Sequence, residues 1–450
     1  LDPYQTLKGK ILLRPEINLP EHTIEHLIQS GQLTTIPAIT KQKFHYKCNR
    51  CTTTNRQHFA RISCARCQTT HPYCRNCLRT GRVLFCEKLY LWAGRDAAWP
   101  EQTNPCHWEG SLTKHQLQAA DAIQQAVRAP GQELLIWAVC GAGKTEMLFP
   151  GITAAIQQGK SICLATPRAD VVRELYPRLK QAFPQTEIEA LYGGTEIRTG
   201  KGQLVIATTH QLIRYYKAFD LMIIDELDAF PYHNDKNLHK LAARAKRRDA
   251  TTIYLTATPR KKEKRRIAAK KLPVVFVPIR FHGHPLPVPQ LKLDIQLQKK
   301  LKQSRPPKSL SAYIQSRAQE RQFLLFVPTV EMLTKMEEML TGFPLKFTTV
   351  FSEDPERKAK VNAFRDKEFD LLITTTILER GVTFPSIDVV ILDAGHEVFD
   401  EAAIVQIAGR AGRSPEDPTG KVLLLHQGKT NAIVDAITQI KGMNRKGSQL

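Results

Sequence analysis

Residues Glu133–Glu146 read ELLIWAVCGAGKTE. An apolar run of strand length stops abruptly at small residues, and a Lys-Thr pair opens the next segment. Small residues let backbone N–H groups turn inward around a phosphate, and a helix starting there adds positive potential. Lys144 is thereby set to reach the β/γ-phosphates of a nucleotide and Thr145 to ligate Mg²⁺, with Gly141, Ala142, Gly143 and Glu146 completing the cradle. Ala138 stands where the general pattern has its first glycine. A phosphate loop of this kind sits at a strand-to-helix turn, so the stretch sets the fold class as α/β.

The texture on both sides agrees. Apolar runs SICLAT, QLVIATT, LMIIDE and TTIYLTAT come after it, with helical stretches such as ADVVRELYPRLKQAF between them and QLQAADAIQQAVR before it. Strands alternating with helices imply a parallel sheet covered on both faces. The pattern restarts with QFLLFVPT, LKFTTVF, FDLLITTT and IDVVILD. Two α/β domains in tandem are expected, at 108–262 and 311–440, with a basic connector at 263–310 that begins the second and a tail at 441–450. Upstream lie an extension at 1–43 holding one amphipathic candidate, EHTIEHLIQSG, a cysteine-rich module at 44–90, and a linker at 91–107 containing AWPEQTNP.

Composition narrows the partner. The 450 residues carry 65 Lys+Arg against 43 Asp+Glu, a formal charge of +22, which points to a polyanion and most often to nucleic acid. Between Arg260 and Lys308 stand fifteen basic residues against two acids, starting with RKKEKRR. No apolar run reaches the eighteen residues of a membrane span, and the first residues lack the apolar core of a signal peptide. Ten cysteines, seven of them between 48 and 86, suit a metal site better than a secreted disulfide framework.

Two further stretches complete the chemistry. IIDELDAFPY (Ile223–Tyr232) delivers Asp225 at a strand end, where it can hold the metal, with Glu226 beside it to orient and deprotonate a water. QIAGRAGR (Gln406–Arg413) places Arg410 and Arg413 three apart near a helix. Guanidinium groups facing a nucleotide stabilise the charge that phosphoryl transfer spreads over the γ-phosphate. If they come from the second domain, hydrolysis requires closure, and nucleotide state is tied to domain spacing.

These elements, in this order, resemble superfamily-two helicases and translocases, so the two domains are expected to be RecA-like. The resemblance covers about residues 108 to 430. LTKHQ resembles the adenine-reading element, with Gln116 as base reader; GAGKT, DELD and TAT resemble motifs I to III. TTTILERGVTFP resembles motif V, and QIAGRAGR resembles motif VI and adds Gln406 to the nucleotide-binding set. ATPR, TTHQL and FVPT resemble the strand-end loops of the nucleic-acid groove. Thr166, Arg168, Thr208, Thr209, His210, Thr329 and Thr375 are accordingly expected near DNA phosphates, although a strand-end Thr serves as readily for capping.

The wording LLIWAVCGAGKTEMLFPGI, DAFPY and ITTTILERGVT, with YCRNC and GRV before it, resembles the ComFA family of late competence proteins, from the cysteine module to about residue 440. That resemblance implies a cytoplasmic ATPase, stimulated by single-stranded DNA, that works at the inner face of the membrane to draw transforming DNA through the channel ComEC. It implies a ComFC-like phosphoribosyltransferase-fold partner, and extends to DprA. Competing readings are a PriA-type duplex helicase and a zinc-dependent DNA-binding adaptor with an ATP-switched conformation.

Three Cys-x-x-Cys pairs, twelve and then six residues apart, have zinc-knuckle spacing. Two pairs complete one tetrahedral site, so six cysteines overfill it. The ComFA-like pattern favours Cys48, Cys51, Cys74 and Cys77. Cys64 and Cys67 remain as alternatives to either pair, or as part of a second site with Cys86, His58 or His71. The interleaved Arg50, Arg56, Arg61, Arg66, Arg75, Arg79 and Arg82 suggest contact with DNA or a partner.

Overall fold

The computed structural model describes residues 4–96, 98–194, 200–317, 321–380 and 384–449; Gly381, Val382 and Thr383 of TTTILERGVTFP lie outside them. The N-terminal fifth is antiparallel. Strands β1 (Ile11–Leu13) and β2 (Leu33–Pro37) are followed by the hairpin β3 (Ile39–Lys41)–β4 (Tyr46–Cys48). The small sheet β5 (Phe59–Ser63), β6 (Thr70–Cys74) and β7 (Val83–Leu84) comes next. Strand β8 (Lys88–Trp92) then returns between β1 and β2. A boundary at residue 43 is therefore crossed by a sheet: the extension and the end of the cysteine module form one body.

The first α/β domain contains β9 (Glu133–Ala138), β10 (Ile162–Thr166), β11 (Ile188–Leu191), β12 (Leu204–Thr208), β13 (Phe219–Ile224), β14 (Lys246–Thr256) and β15 (Val274–Val277). Their order is β11-β12-β10-β13-β14-β9-β15, every pairing parallel. All five residues of β10 and of β12 are buried, as strands covered on both faces require. The second domain orders β16 (Gln290–Leu293), β17 (Phe323–Phe326), β18 (Phe347–Val350), β19 (Leu371–Thr374), β20 (Asp388–Ile391) and β21 (Val422–His426) as β16-β21-β20-β17-β19-β18, again all parallel. The tandem RecA-like architecture is as expected.

Its seams differ. Residues 263–310 form no free connector, because β15 closes the first sheet and β16 opens the second. Residues 441–448 continue the helix Asn431–Ser448, which runs back to the first domain. There Gln439 donates to the Ala257 carbonyl at 2.9 Å, and Asn444 brackets the Leu286 backbone at 2.8 and 2.9 Å. A Cβ on Gly447 would lie 2.4 Å from Ile279, so only glycine permits this approach.

The cysteine module is fused to the first domain. Arg50 is fully buried and pairs with Glu16 at 2.6 Å, and Glu16 also pairs with Arg214 of the first domain at 2.8 Å. Arg244 donates to the carbonyls of Asn49 (3.1 Å) and Arg50 (2.6 Å). The four cysteines 48, 51, 74 and 77 share one continuous apolar core with Leu212, Ile213, Leu238 and Leu241. Arg50 is thus a structural cation, not a DNA contact.

Candidate active site

The phosphate loop leaves β9 at its C-terminal end, where parallel sheets place ligands. Gly141 and Gly143 adopt φ of 78° and 67°, a left-handed conformation that lets the loop curl. Gln116 sits at the third position of the helix Lys114–Arg128, whose start is closed by a reciprocal Thr113–Gln116 cap. Its Nε2 donates to the Ala142 carbonyl at 2.9 Å, and a Cβ on Gly143 would lie 2.3 Å from that nitrogen. The base-reading candidate therefore rests directly on the loop.

Around this loop opens a cavity of about 510 Å³. The first domain contributes Gln116, Gly141, Ala142, Gly143, Lys144, Thr145, Glu146, Asp225 and Glu226; the second contributes Arg380, Gln406, Arg410 and Arg413. Every residue assigned from sequence to catalysis or nucleotide binding lines this one space. Glu146 pairs with Arg178 at its rim.

The carboxylates divide by environment. Asp225 follows β13 on the wall of the cavity; burial, reinforced by the neighbouring Glu226, outweighs the Lys144 ammonium and raises its pKa to about 6. Glu226 takes a left-handed φ of 51°, and its Oε2 is buried with no hydrogen-bond partner among the described residues. Burial works to raise Asp228, but the Arg380 guanidinium more than offsets it and holds the pKa at about 2. Thr256 of TAT donates to Asp228 at 2.6 Å and accepts from the Thr258 N–H at 2.9 Å, so motif III braces motif II.

Arg380 was not singled out from sequence, yet it crosses from the second domain, pairs with Asp228 and stands 3.6 Å from Glu226. Its signal was its place after Glu379 in the TTTILERG stretch. Arg280 was missed too: it donates to the carbonyls of Ala411 (2.9 Å), Pro285 (2.6 Å) and Gly412, cradling the turn that carries Arg410 and Arg413. Arg410 donates to the Glu379 carbonyl and Arg413 to that of Gly409, each at 3.0 Å. Burial and the neighbouring Arg413 depress the pKa of Arg410, and burial depresses that of Arg413. Two guanidiniums crowded into one pocket suit an anionic guest. Gln406 accepts from the Cys140 thiol at 3.0 Å, tying motif VI to the phosphate loop.

The expected DNA contacts are less uniform. Thr166 and Thr209 are fully buried at the ends of β10 and β12, and Thr208 nearly so. Arg168 is engaged across the cleft with Glu379 at 2.9 Å and does not present a free guanidinium. Thr329 caps the helix Val330–Leu340 through the Met332 N–H, the structural role open to any strand-end threonine. His210 is exposed and Thr375 half-exposed. Of RKKEKRR, Arg260 pairs with Asp400, Lys264 with Glu401, and Arg266 with Glu133; Lys261, Lys262 and Arg265 face solvent.

In the module, the Sγ atoms of Cys48, Cys51, Cys74 and Cys77 lie within 4.8 Å of one another, all buried. Cys48–Cys77 and Cys51–Cys74 are 3.7 and 3.5 Å apart, close to the about 3.8 Å edge of a tetrahedron with 2.3 Å zinc–sulfur bonds. Neighbouring thiols drive Cys74 and Cys77 upward in pKa, a crowding that a central dication reverses. The residues fit zinc.

Residues 109–261 match the family described as type III restriction enzyme, res subunit, and residues 306–415 match the helicase conserved C-terminal domain. By fold, Saccharomyces cerevisiae Dbp5, in a variant bound to RNA and ADP BeF3, superposes with a TM-score of 0.51 at 18% identity over 75% of this chain and 94% of its own. RecG bound to a three-way DNA junction does so with a TM-score of 0.51 at 19% identity, over 74% of this chain and 45% of its own. Fold and site thus define a nucleotide-hydrolysing enzyme of the helicase type, using ATP and Mg²⁺. Residues 2–91 match the competence protein ComFA N-terminal domain. Competence protein ComFA of Bacillus subtilis is 43% identical over 99% of this chain and 96% of its own length, and that of Streptococcus pneumoniae 38% over 91% and 93%. The chain belongs to the ComFA family and is a competence-associated, helicase-like ATPase. Among the described residues no helix is long and apolar enough to cross a membrane.

Proposed function

We propose that the protein is an ATP-driven translocase on single-stranded DNA that powers uptake of transforming DNA. The observation that carries this reading is the nucleotide cavity lined from both domains: phosphate loop and acidic pair on one wall, Arg410 and Arg413 on the other. Lys144 and the loop N–H groups hold the phosphates, while Thr145 and Asp225 hold Mg²⁺, which when bound neutralises charge on the β/γ oxygens. Glu226, with its unpartnered Oε2, orients and deprotonates the attacking water. Arg413 and Arg410 stabilise the charge that develops on the γ-phosphate, and Gln116 and Gln406 complete the nucleotide pocket. Because these groups meet only when the domains meet, each hydrolysis is linked to domain spacing, and a strand lying across both domains is moved by it.

DNA is held by its phosphates through the surface formed by Lys261, Lys262 and Arg265 and the strand-end loops around Thr208, His210, Thr329 and Thr375. The four buried thiols hold a structural Zn²⁺ that fixes the module to the first domain. Family membership supports a ComFC-like partner, DprA, and the ComEC channel at the cytoplasmic face of the membrane. The test is ATP turnover against single-strand length. A rate that rises with length up to a plateau supports translocation; a rate indifferent to DNA contradicts it, and stimulation independent of length favours the adaptor.

A further inference from the structure

The cysteine module contains the same turn twice. At Cys48-Asn-Arg-Cys51-Thr52, the Thr52 N–H donates to the Cys48 carbonyl at 2.8 Å, Thr52 has φ of 65°, and the Cys48 N–H donates to the Thr53 carbonyl at 3.0 Å. At Cys64-Ala-Arg-Cys67-Gln68, the Gln68 N–H donates to the Cys64 carbonyl at 2.8 Å, Gln68 has φ of 54°, and the Cys64 N–H donates to the Thr69 carbonyl at 2.9 Å. A non-glycine residue held at positive φ is uncommon, so repeating it at matching positions in two Cys-x-x-Cys turns marks a shared purpose. This turn aims both thiols to one side. In the first copy they complete the buried four-thiol group.

In the second copy they meet a third sulfur. The Sγ atoms of Cys64, Cys67 and Cys86 lie within 4.8 Å of one another, and Cys64 and Cys86 are 3.7 Å apart, again near the edge length of a zinc tetrahedron. His71, on β6, brings its Nε2 to 3.0 Å from the Cys67 sulfur and 2.8 Å from the Thr69 hydroxyl, outside the group of three sulfurs that lie mutually within 4.8 Å, and its ring stacks on Phe85 beside Cys86. Cys67 and Cys86 are exposed, unlike all four members of the buried group.

We propose that Cys64, Cys67 and Cys86 hold a second Zn²⁺ at the tip of the β5–β6 hairpin, with the His71 imidazole turning from Thr69 to become the fourth ligand. Solvent reaches two of its thiolates, so this metal exchanges faster than the buried one. The inference rests on the zinc reading of the buried group only for the total count.

The whole chain, purified under reducing conditions, should carry two zinc ions, and 4-(2-pyridylazo)resorcinol should withdraw one equivalent fast and one slowly. Cys67→Ser and Cys86→Ser, both at exposed positions, should each carry one zinc and lose only the fast phase. His71→Ala should speed the fast phase by about tenfold or more, the scale on which metal sites respond to the removal of a supporting group. One zinc in the parent, unchanged in Cys67→Ser, overturns the second site and leaves the first standing. No zinc in either overturns both, and a Cys64–Cys86 disulfide in metal-replete protein overturns the second. A fast phase unchanged in His71→Ala overturns the four-ligand set.

Discussion

The first α/β domain has two neighbours and meets them in opposite ways. Toward the cysteine module it shares a continuous apolar core, sealed by the Arg50–Glu16–Arg214 chain, whose Arg50 is fully buried. Toward the second domain an apolar cluster also continues across, but it is edged by a row of ion pairs: Arg168–Glu379, Arg260–Asp400, Lys264–Glu401 and Arg357–Asp170 cross the cleft at 2.7–3.2 Å with partly exposed side chains. Ion pairs of that kind contribute about 0–1 kcal/mol each and exchange readily with water. Close apolar approaches across the cleft include Gly409 against Cys140 and Gly447 against Ile279. The row of partly exposed ion pairs distinguishes the second interface, which is the one expected to open. The candidate nucleotide cavity lies in the second, and the deepest pair there, Arg380 with Asp228, sits beside Glu226.

The largest effect expected is on the opening side. Arg413→Ala should lower ATP turnover by about three to five orders of magnitude, the scale of an arginine finger, with far less change in ATP affinity. Reduced affinity at unchanged turnover would move Arg413 out of the transition-state shell and weaken the contrast. Glu226→Gln comes next at about two to four orders, because it removes a general base while keeping the shape of the pocket. Binding of a non-hydrolysed ATP analogue should be retained, and hydrolysis at the parent rate would reassign the water-activating group.

On the closed side the effects are on stability. Cys74→Ser should lose the buried zinc. Since structural zinc supplies about 10–16 kcal/mol of apparent binding energy in small domains, the module should unfold. The shared core means the first domain should also lose stability, seen as a Tm fall of roughly 10 °C or more, at ~2–4 °C per kcal/mol. A melted module beside a first domain of unchanged Tm would show that the core is not shared in energy. Arg50→Ala should cost about 3 kcal/mol in denaturant unfolding, the lower end for a broken buried pair because Glu16 keeps Arg214. Neutralising Lys261, Lys262 and Arg265 together should be the mildest change. The log–log salt dependence of single-strand binding should become shallower by roughly 0.7 for each phosphate no longer neutralised, with basal ATPase intact. An unchanged slope would place the DNA elsewhere.

The nucleotide pocket was legible because phosphate loops and strand-end acids are local: a few adjacent residues define both backbone and chemistry. Arg380 and Arg280 were harder to read, since their roles come from partners over a hundred residues away, at Asp228 and at the Ala411–Gly412 turn. The two sheets were legible from buried apolar runs, whereas β15 and β16 were absorbed into an apparent connector by the basic residues around them. Charge misled for the same reason. Arg50 and Arg168 look like DNA ligands in a sequence with +22 net charge, but each has a carboxylate waiting in another part of the fold. Spacing left Cys64 and Cys67 open between replacing a pair and joining Cys86, His58 or His71 in a second site, and folded geometry sets Cys86 beside them.

The contrast between the two interfaces is tested most directly by measuring distances in solution. Spin labels on unnatural amino acids, which spare the thiols, at exposed Arg61, Gln158 and Glu338 report on the module, the first domain and the second domain. With a non-hydrolysed ATP analogue the Gln158–Glu338 distance should match this closed arrangement, and with no nucleotide it should lengthen and broaden. The Arg61–Gln158 distance should stay fixed throughout. A module that moves with nucleotide while the cleft holds still would contradict the account.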